Sequence, residues 1–305
     1  MSNIAVVGVG SVGAAFAAAL ESDGRHRVLL CGRKDLNGSV VVETENGSRR
    51  RLEGPYFPSP DSFTDRVDWV VLAVKTYQVG GTASWLKVLC ESPTKVVVLQ
   101  NGIEHKIHVE PLVNGAPVLP GIIWSPAERI DSTHVRVRQR LRISVPQGVI
   151  GDEFVDLFRD ADAQVSTADD FHSAAWRKLC INAVAGIMAV MGARAGIFES
   201  AAMCDLALRL AEECAEVGRA DGAKISQMFP QQVVSELRGM PPDMGTSILF
   251  DRMSGQPLEW DARNAVVQRL GRSYGIPTPV SDVIAPMLEG ISTIGVCALG
   301  VPGPA

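Results

Sequence analysis

Short, wholly apolar runs open the chain, and helical periodicities close it. Residues 4–7 (Ile-Ala-Val-Val), 28–31 (Val-Leu-Leu-Cys), 69–74 (Trp-Val-Val-Leu-Ala-Val) and 96–99 (Val-Val-Val-Leu) carry no polar side chain. Runs of that length without alternation are the pattern of strands covered on both faces in a parallel sheet. Between the first two, Val12, Ala15, Phe16, Ala19 and Leu20 fall on one side of a helix. Strand alternating with helix predicts an open, doubly wound α/β domain. Further on, Val135, Val137, Leu141, Ile143 and Val145 alternate with Arg136, Arg138, Arg140 and Arg142. This predicts one strand with a buried and a charged face, placed as an antiparallel extension of the sheet. The arginine row reads as a solvated face or as an anion platform.

From about His172 strand patterns disappear. An apolar helical stretch covers 175–194, and Met203, Leu206, Leu210, Cys214 and Val217 recur at helical spacing until Gly222. Shorter helices are predicted at 231–237, 247–253 and 262–274. Strands followed by helices alone imply a second, all-α domain. The boundary falls near Asp169-Asp170, dividing the chain into 1–169 and 170–305.

The length of 305 residues agrees with two cores rather than one. A composition of 46% hydrophobic and 21% charged residues is that of a globular protein. The net charge of −5 supplies no basic field for a phosphate backbone, so nucleic acid is not an expected partner. Cys31, Cys90, Cys180, Cys204, Cys214 and Cys297 include no CxxC pair, and read as free thiols in a reducing compartment rather than as a metal site or disulfide framework. The N-terminus enters a strand pattern directly, without a basic region or a small-residue cleavage site. The longest apolar stretch, 183–193, falls short of the ~20 residues that span a bilayer. The expectation is a cytoplasmic protein with no membrane partner.

Gly8-Val9-Gly10-Ser11-Val12-Gly13 follows the first strand and opens the first helix. The first glycine permits the tight turn, the second lets backbone approach a pyrophosphate, and the third lets helix and strand pack closely. The helix N-terminus offers N–H groups and the positive end of its dipole to the phosphates. This predicts a Rossmann-type dinucleotide site with Gly8, Gly10, Ser11, Val12 and Gly13 at the cofactor; a glycine turn that binds nothing is the plain alternative. The second strand ends Cys31-Gly32-Arg33-Lys34, with two cations where an NAD site usually places an acid. A guanidinium at Arg33 suits a 2′-phosphate, which predicts NADPH over NADH. Exposed loop charges are the alternative.

Three further segments carry candidate chemistry. Lys75 ends a core strand at the edge where doubly wound folds bind ligands, and Gln100-Asn101-Gly102 ends the next strand there. In Trp176-Arg177-Lys178-Leu179-Cys180-Ile181-Asn182, Lys178 and Asn182 share a helix face. Lys178 is either a surface lysine or a functional one.

Taken in order, these segments resemble the ketopantoate reductase family, and the likeness covers nearly the whole chain. It continues through Thr246-Ser247, Pro257-Leu258-Glu259-Trp260-Asp261 and Gly275-Ile276-Pro277-Thr278-Pro279. The resemblance implies that Lys178 is the catalytic lysine, giving a proton to the carbonyl oxygen as hydride reaches carbon. It implies that Glu259 binds substrate and helps hold the closed site. Asn101 and Asn182 match substrate and cofactor contacts, Ser247 the serine that receives the substrate carboxylate, Lys75 a lysine beside the cofactor, and Arg33 the residue that selects the 2′-phosphate. A nearby ammonium stabilises and neutralises the charge that hydride addition places on oxygen. On residue type alone, Glu259 is also an ordinary helix-start acid and Ser247 a helix cap.

One position departs from the family. Where a second asparagine commonly stands four residues after Asn182, this chain has Gly186. Loss of the amide is expected to enlarge the pocket, which bears on which 2-oxo acid is accepted. Ala265 replaces a glycine common in the family, a packing change. The open readings are therefore ketopantoate reduction, reduction of another branched or bulkier 2-oxo acid, and a non-catalytic NADPH-binding sensor. A 3-hydroxyacid dehydrogenase of similar layout is favoured less, because of Glu259, Pro277 and Pro279. Helical second domains of this kind pack alone or as a homodimer, and the sequence leaves that choice open.

Overall fold

The structure, a computed structural model, describes residues 1–32, 40–91, 93–124 and 127–298. It forms two compact units, Met1–Gln100 with Glu104–Phe171, and Asn101–Ile103 with His172–Ala305.

The strands of the first unit are β1 (Asn3–Val7), β2 (Arg27–Cys31), β3 (Val41–Glu43), β4 (Arg49–Arg51), β5 (Tyr56–Phe57), β6 (Trp69–Leu72), β7 (Lys95–Leu99), β8 (Val118–Trp124), β9 (Ala127–Arg129), β10 (His134–Val137), β11 (Leu141–Pro146) and β12 (Ala163–Ala168). Its helices are α1 (Ser11–Glu21), α2 (Ala83–Leu89), α3 (His105–Val109) and α4 (Val149–Asp156). The main sheet has the order β12-β11-β8-β7-β6-β1-β2-β5. Its strands from β5 to β8 run parallel, whereas β11 is antiparallel to β8 and parallel to β12.

The apolar runs serve both faces of this sheet. Ile4, Val6, Val28, Leu30, Val71, Val97 and Leu99 pack into one core with α1, and Ala5, Val7, Leu29, Cys31, Val70, Leu72, Val96 and Val98 into another with α2. Neither face of these strands meets water, which is why no alternation shows in the sequence. Phe16 of α1 stacks near Phe154 and edge-on to Phe158, fastening α1 and α4 over the same face.

The single strand expected across 134–145 is two strands in two sheets. β11 extends the main sheet antiparallel to β8, as expected, but β10 lies in a separate sheet of order β4-β3-β10-β9. The break falls at 138–140, where Gln139 is exposed at a place the apolar alternation should occupy. Because Leu141 lies an even step of four positions after Val137, the buried parity resumes there, and periodicity alone passes over the break. The arginine row forms no shared anion platform. Arg136 Nε donates to Glu43 Oε1 at 2.8 Å, Arg138 Nη2 to Glu128 Oε2 at 2.7 Å, Arg140 pairs with Asp162 at 3.0 Å, and Arg142 lies over the Trp124 ring.

The second unit is helical: α5 (Phe171–Met191), α6 (Ala201–Ala220), α7 (Phe229–Arg238), α8 (Ser247–Met253), a π-helical turn (Asp261–Ala265) continuing into α9 (Val266–Tyr274), and α10 (Ser281–Ala298). The last of these has no counterpart in the sequence reading. By length and composition α5 could cross a membrane, its most apolar 18-residue stretch having a mean hydropathy of 1.3, yet 67% of that stretch is buried. A helix apolar on all sides is the expected centre of such a bundle. Val184, Ile187 and Met188 of α5 pack with Leu210, Ile248, Leu249 and Leu288, while Trp176, Leu179 and Ala183 pack with Cys214, Val217, Val266 and Val267. Buried Glu213 accepts from Val280 N, Ser281 N and Ser281 Oγ at 2.6–2.8 Å, which satisfies the first N–H groups of α10.

Candidate active site

In the first unit the glycine loop lies against the ends of β1, β2 and β6. Gly8 N donates to Cys31 O, and Ala73 N to Val7 O, both at 2.9 Å. Gly8 has φ +96°, and a Cβ there would sit 2.5 Å from Val74 Cγ1; a Cβ on Gly13 would sit 2.1 Å from Gly8 O. No side chain larger than hydrogen fits either place. At Gly10, by contrast, nothing stands within 4 Å of a notional Cβ, so open space faces the loop where a diphosphate would approach. Gly10 caps α1 without a side-chain bond, and its carbonyl accepts from Ala14 N. The first N–H groups of a helix have no carbonyl of a preceding turn to bond, so those opening α1 are the groups that an anion at this loop would take. The residues present therefore fit a dinucleotide.

Lys75 follows β6 at the same sheet edge and is half-buried, its backbone N–H donating to Gln78 Oε1. Gln100 Nε2 donates to Val74 O at 2.8 Å, joining the ends of β6 and β7. Arg33 lies outside the described residues. One residue that bonds the glycine loop escaped the sequence reading: Arg129, at the end of β9, donates from Nη2 to Val9 O at 2.5 Å and from Nη1 to Ser132 O at 2.8 Å. Burial pulls its guanidinium below the usual arginine value, and Asp131 opposes that shift. As one of several arginines in a strand-rich stretch, Arg129 carried no sequence signal of its own.

The second unit gathers most of the remaining candidates. Gly102 has φ +97°, and its missing Cβ lets the chain approach Ala262 of the π-helical turn. Asn101 is thereby set beside Glu259, and its Nδ2 donates to Glu259 Oε2 at 2.9 Å. Asn182 Nδ2 donates to Asn101 Oδ1 at 3.1 Å, and Arg263 Nη2 to Asn182 Oδ1 at 3.3 Å. The result is a chain of hydrogen bonds from a guanidinium, through two amides, to a carboxylate. Arginine only donates and carboxylate only accepts, so the orientation of both amides is determined by the two ends. Glu259, Asn182 and Arg263 are all buried. Lys178, half-buried, stands one turn before Asn182 on α5.

Ser247 is exposed, and its Oγ accepts from Arg263 Nη1 at 3.1 Å. It does not cap α8: Thr246 is the cap residue and makes no side-chain cap bond. The backbone of Thr246 is extended, so the helix begins at Ser247 itself, one residue earlier than a Ser247 cap would place it. Arg263 is the principal residue that sequence reasoning missed. Burial pulls its guanidinium below the usual arginine value, against the attraction of Glu259 and then Asp251. A signal existed, since Arg263 is one helical turn after Glu259 within an apolar pattern.

Gly186 does not enlarge a pocket. A Cβ there would sit 3.1 Å from Nδ2 and Oδ1 of Asn264 and from Leu288 Cδ1. The space is taken by the Asn264 amide, whose Nδ2 donates to Ala183 O at 3.0 Å and whose buried Oδ1 has no partner.

Comparison with known proteins shows the family. The family description "Ketopantoate reductase PanE/ApbA" matches residues 4–148, and its C-terminal counterpart matches 170–292. The chain belongs to the ketopantoate reductase family. It is thus an oxidoreductase. A 2-dehydropantoate 2-reductase of Mycobacterium tuberculosis is 40% identical over 291 residues, covering 95% of this chain and 98% of the relative. One from Caulobacter vibrioides is 34% identical over 289 residues, covering 95% and 99%. Among solved structures, a dimeric ketopantoate reductase from Staphylococcus aureus superposes with TM-score 0.87 at 22% identity, over 96% of this chain and 99% of that one. That last likeness concerns the fold.

Proposed function

We propose that this protein is a cytoplasmic reductase that uses NADPH to convert 2-dehydropantoate (ketopantoate) to pantoate, a step towards pantothenate. The observation that carries the reading is the buried connection of Glu259 to Asn101 and, through Asn182, to the helix face that bears Lys178. The 40% identity to a 2-dehydropantoate 2-reductase across nearly the full length supports the substrate. Bound at the glycine loop, the dinucleotide supplies the hydride that reaches the carbonyl carbon. Lys178, as an ammonium, gives its proton to the carbonyl oxygen. Glu259 and Asn101 orient the substrate, and Asn182 holds Asn101. NADPH rather than NADH is expected from Arg33 and Lys34, whose cations complement a 2′-phosphate.

The test is steady-state oxidation of NADPH with ketopantoate, beside a panel of other 2-oxo acids and an NADH control. High kcat/KM for ketopantoate with a strong NADPH preference is the expected result. Faster turnover of another acid moves the protein to that substrate, and no turnover of any 2-oxo acid overturns the proposal.

A further inference from the structure

Arg263 is a buried cation with its bonding capacity only partly used. It is 2% exposed. Among the described residues, its hydrogen bonds go to uncharged oxygens: Ser247 Oγ at 3.1 Å, and Asn182 O and Oδ1 at 3.4 and 3.3 Å. Its Nε has no partner. A buried cation is costly unless an anion is bonded to it, and guanidinium meets carboxylate best through two parallel N–H bonds. Ser247, whose hydroxyl takes the bond from Nη1, is an exposed residue, so one edge of the guanidinium adjoins a side chain at the surface of the unit.

We propose that Arg263 is the residue that binds the substrate carboxylate, receiving it together with the Ser247 hydroxyl. This deepens the reading of the site as one for a 2-oxo acid and rests on it. The carboxylate takes Nη1 and the hydroxyl as donors, while Nη2 stays bonded to Asn182. The charge of the acid is then matched inside the second unit by Arg263, and the proton transfer to the carbonyl oxygen stays with Lys178. A site that bonds the carboxylate in this way rejects neutral analogues, because they leave the guanidinium buried and unpaired.

Calorimetric titration of the NADPH-loaded protein with oxamate, a non-reacting 2-oxo-acid mimic, and with oxamide, its neutral counterpart, tests the assignment without relying on turnover. Wild type is expected to prefer oxamate. R263Q is expected to bind oxamate roughly 10²–10³-fold more weakly with little change for oxamide or NADPH. R263K keeps the charge without the planar fork and guards against a folding defect in R263Q; its oxamate affinity is expected to fall about tenfold, with oxamide unchanged. Equal oxamate affinities in wild type and R263Q, equal losses for oxamate and oxamide, or no oxamate binding by wild type overturns the proposal. Wild type that prefers oxamate yet reduces no ketopantoate refutes the substrate reading and leaves the role of Arg263 standing.

Discussion

Asn101 and Glu259, 158 positions apart in the chain, meet through a 2.9 Å hydrogen bond from amide to carboxylate. The carboxylate is buried, and the bond turns the other end of the amide toward Asn182. Asn101→Asp would set a second carboxylate against the first. Like charges at that range raise the pKa of one member, so its protonated form is favoured in the folded state. Stability contributed by a group with a raised pKa is present in acid and lost as pH rises. The variant is therefore expected to show a larger deficit in Tm at pH 8 than at pH 5, measured against wild type. A deficit independent of pH would remove the electrostatic reading of this pair.

Lys178→Ala should retain NADPH binding and lose about 10²–10⁴ in kcat, the usual worth of a positioned proton donor. Single-turnover kinetics with saturating ketopantoate checks it; unchanged kcat means the proton comes from elsewhere.

Gly186→Asn restores the residue common in the family and is expected to harm this protein. Asn264 and Leu288 already stand 3.1 Å from a Cβ at that place. Overpacking of this kind costs about 1–3 kcal/mol. Denaturant melts should show a lower midpoint, with no gain in kcat/KM for ketopantoate.

Gly13→Ala drives a methyl group into the Gly8 carbonyl, 2.1 Å away. Because the obstacle is backbone, the loop must shift. Fluorescence titration should show NADPH binding weakened by at least about tenfold, equivalent to ~1.4 kcal/mol. An unaltered affinity would mean that the loop does not set the phosphate site.

Burial pushes the thiols of Cys31 and Cys90 up to about 12 from an ordinary value of 9.0, and raises that of Cys214 as well. These thiols should resist a disulfide reagent at pH 8 until the protein is unfolded, as thiolate is the reacting form. Their contribution to stability is complete below pH 9 and is lost as pH rises toward 12, so melts in that range should show a steady fall. Rapid modification of native Cys31 or Cys90 would contradict it.

The sequence by itself determined the parallel sheet, the glycine loop and the helical character of the second unit. Each rests on local information: unbroken apolar runs such as 96–99, glycines whose backbone geometry no other residue can adopt, and apolar faces recurring once per helical turn. Tertiary structure decided the rest. Periodicity reports which side of an element is buried but not its partner, so β10 and β11 read as one strand until their sheets are known. Composition shows that Gly186 has no side chain, but only packing shows that Asn264 fills its place. Arg263 looks like any helical arginine until Ser247 and Asn182 are found around it, because a site made by residues remote in sequence exists only where folding brings their polar atoms within bonding distance.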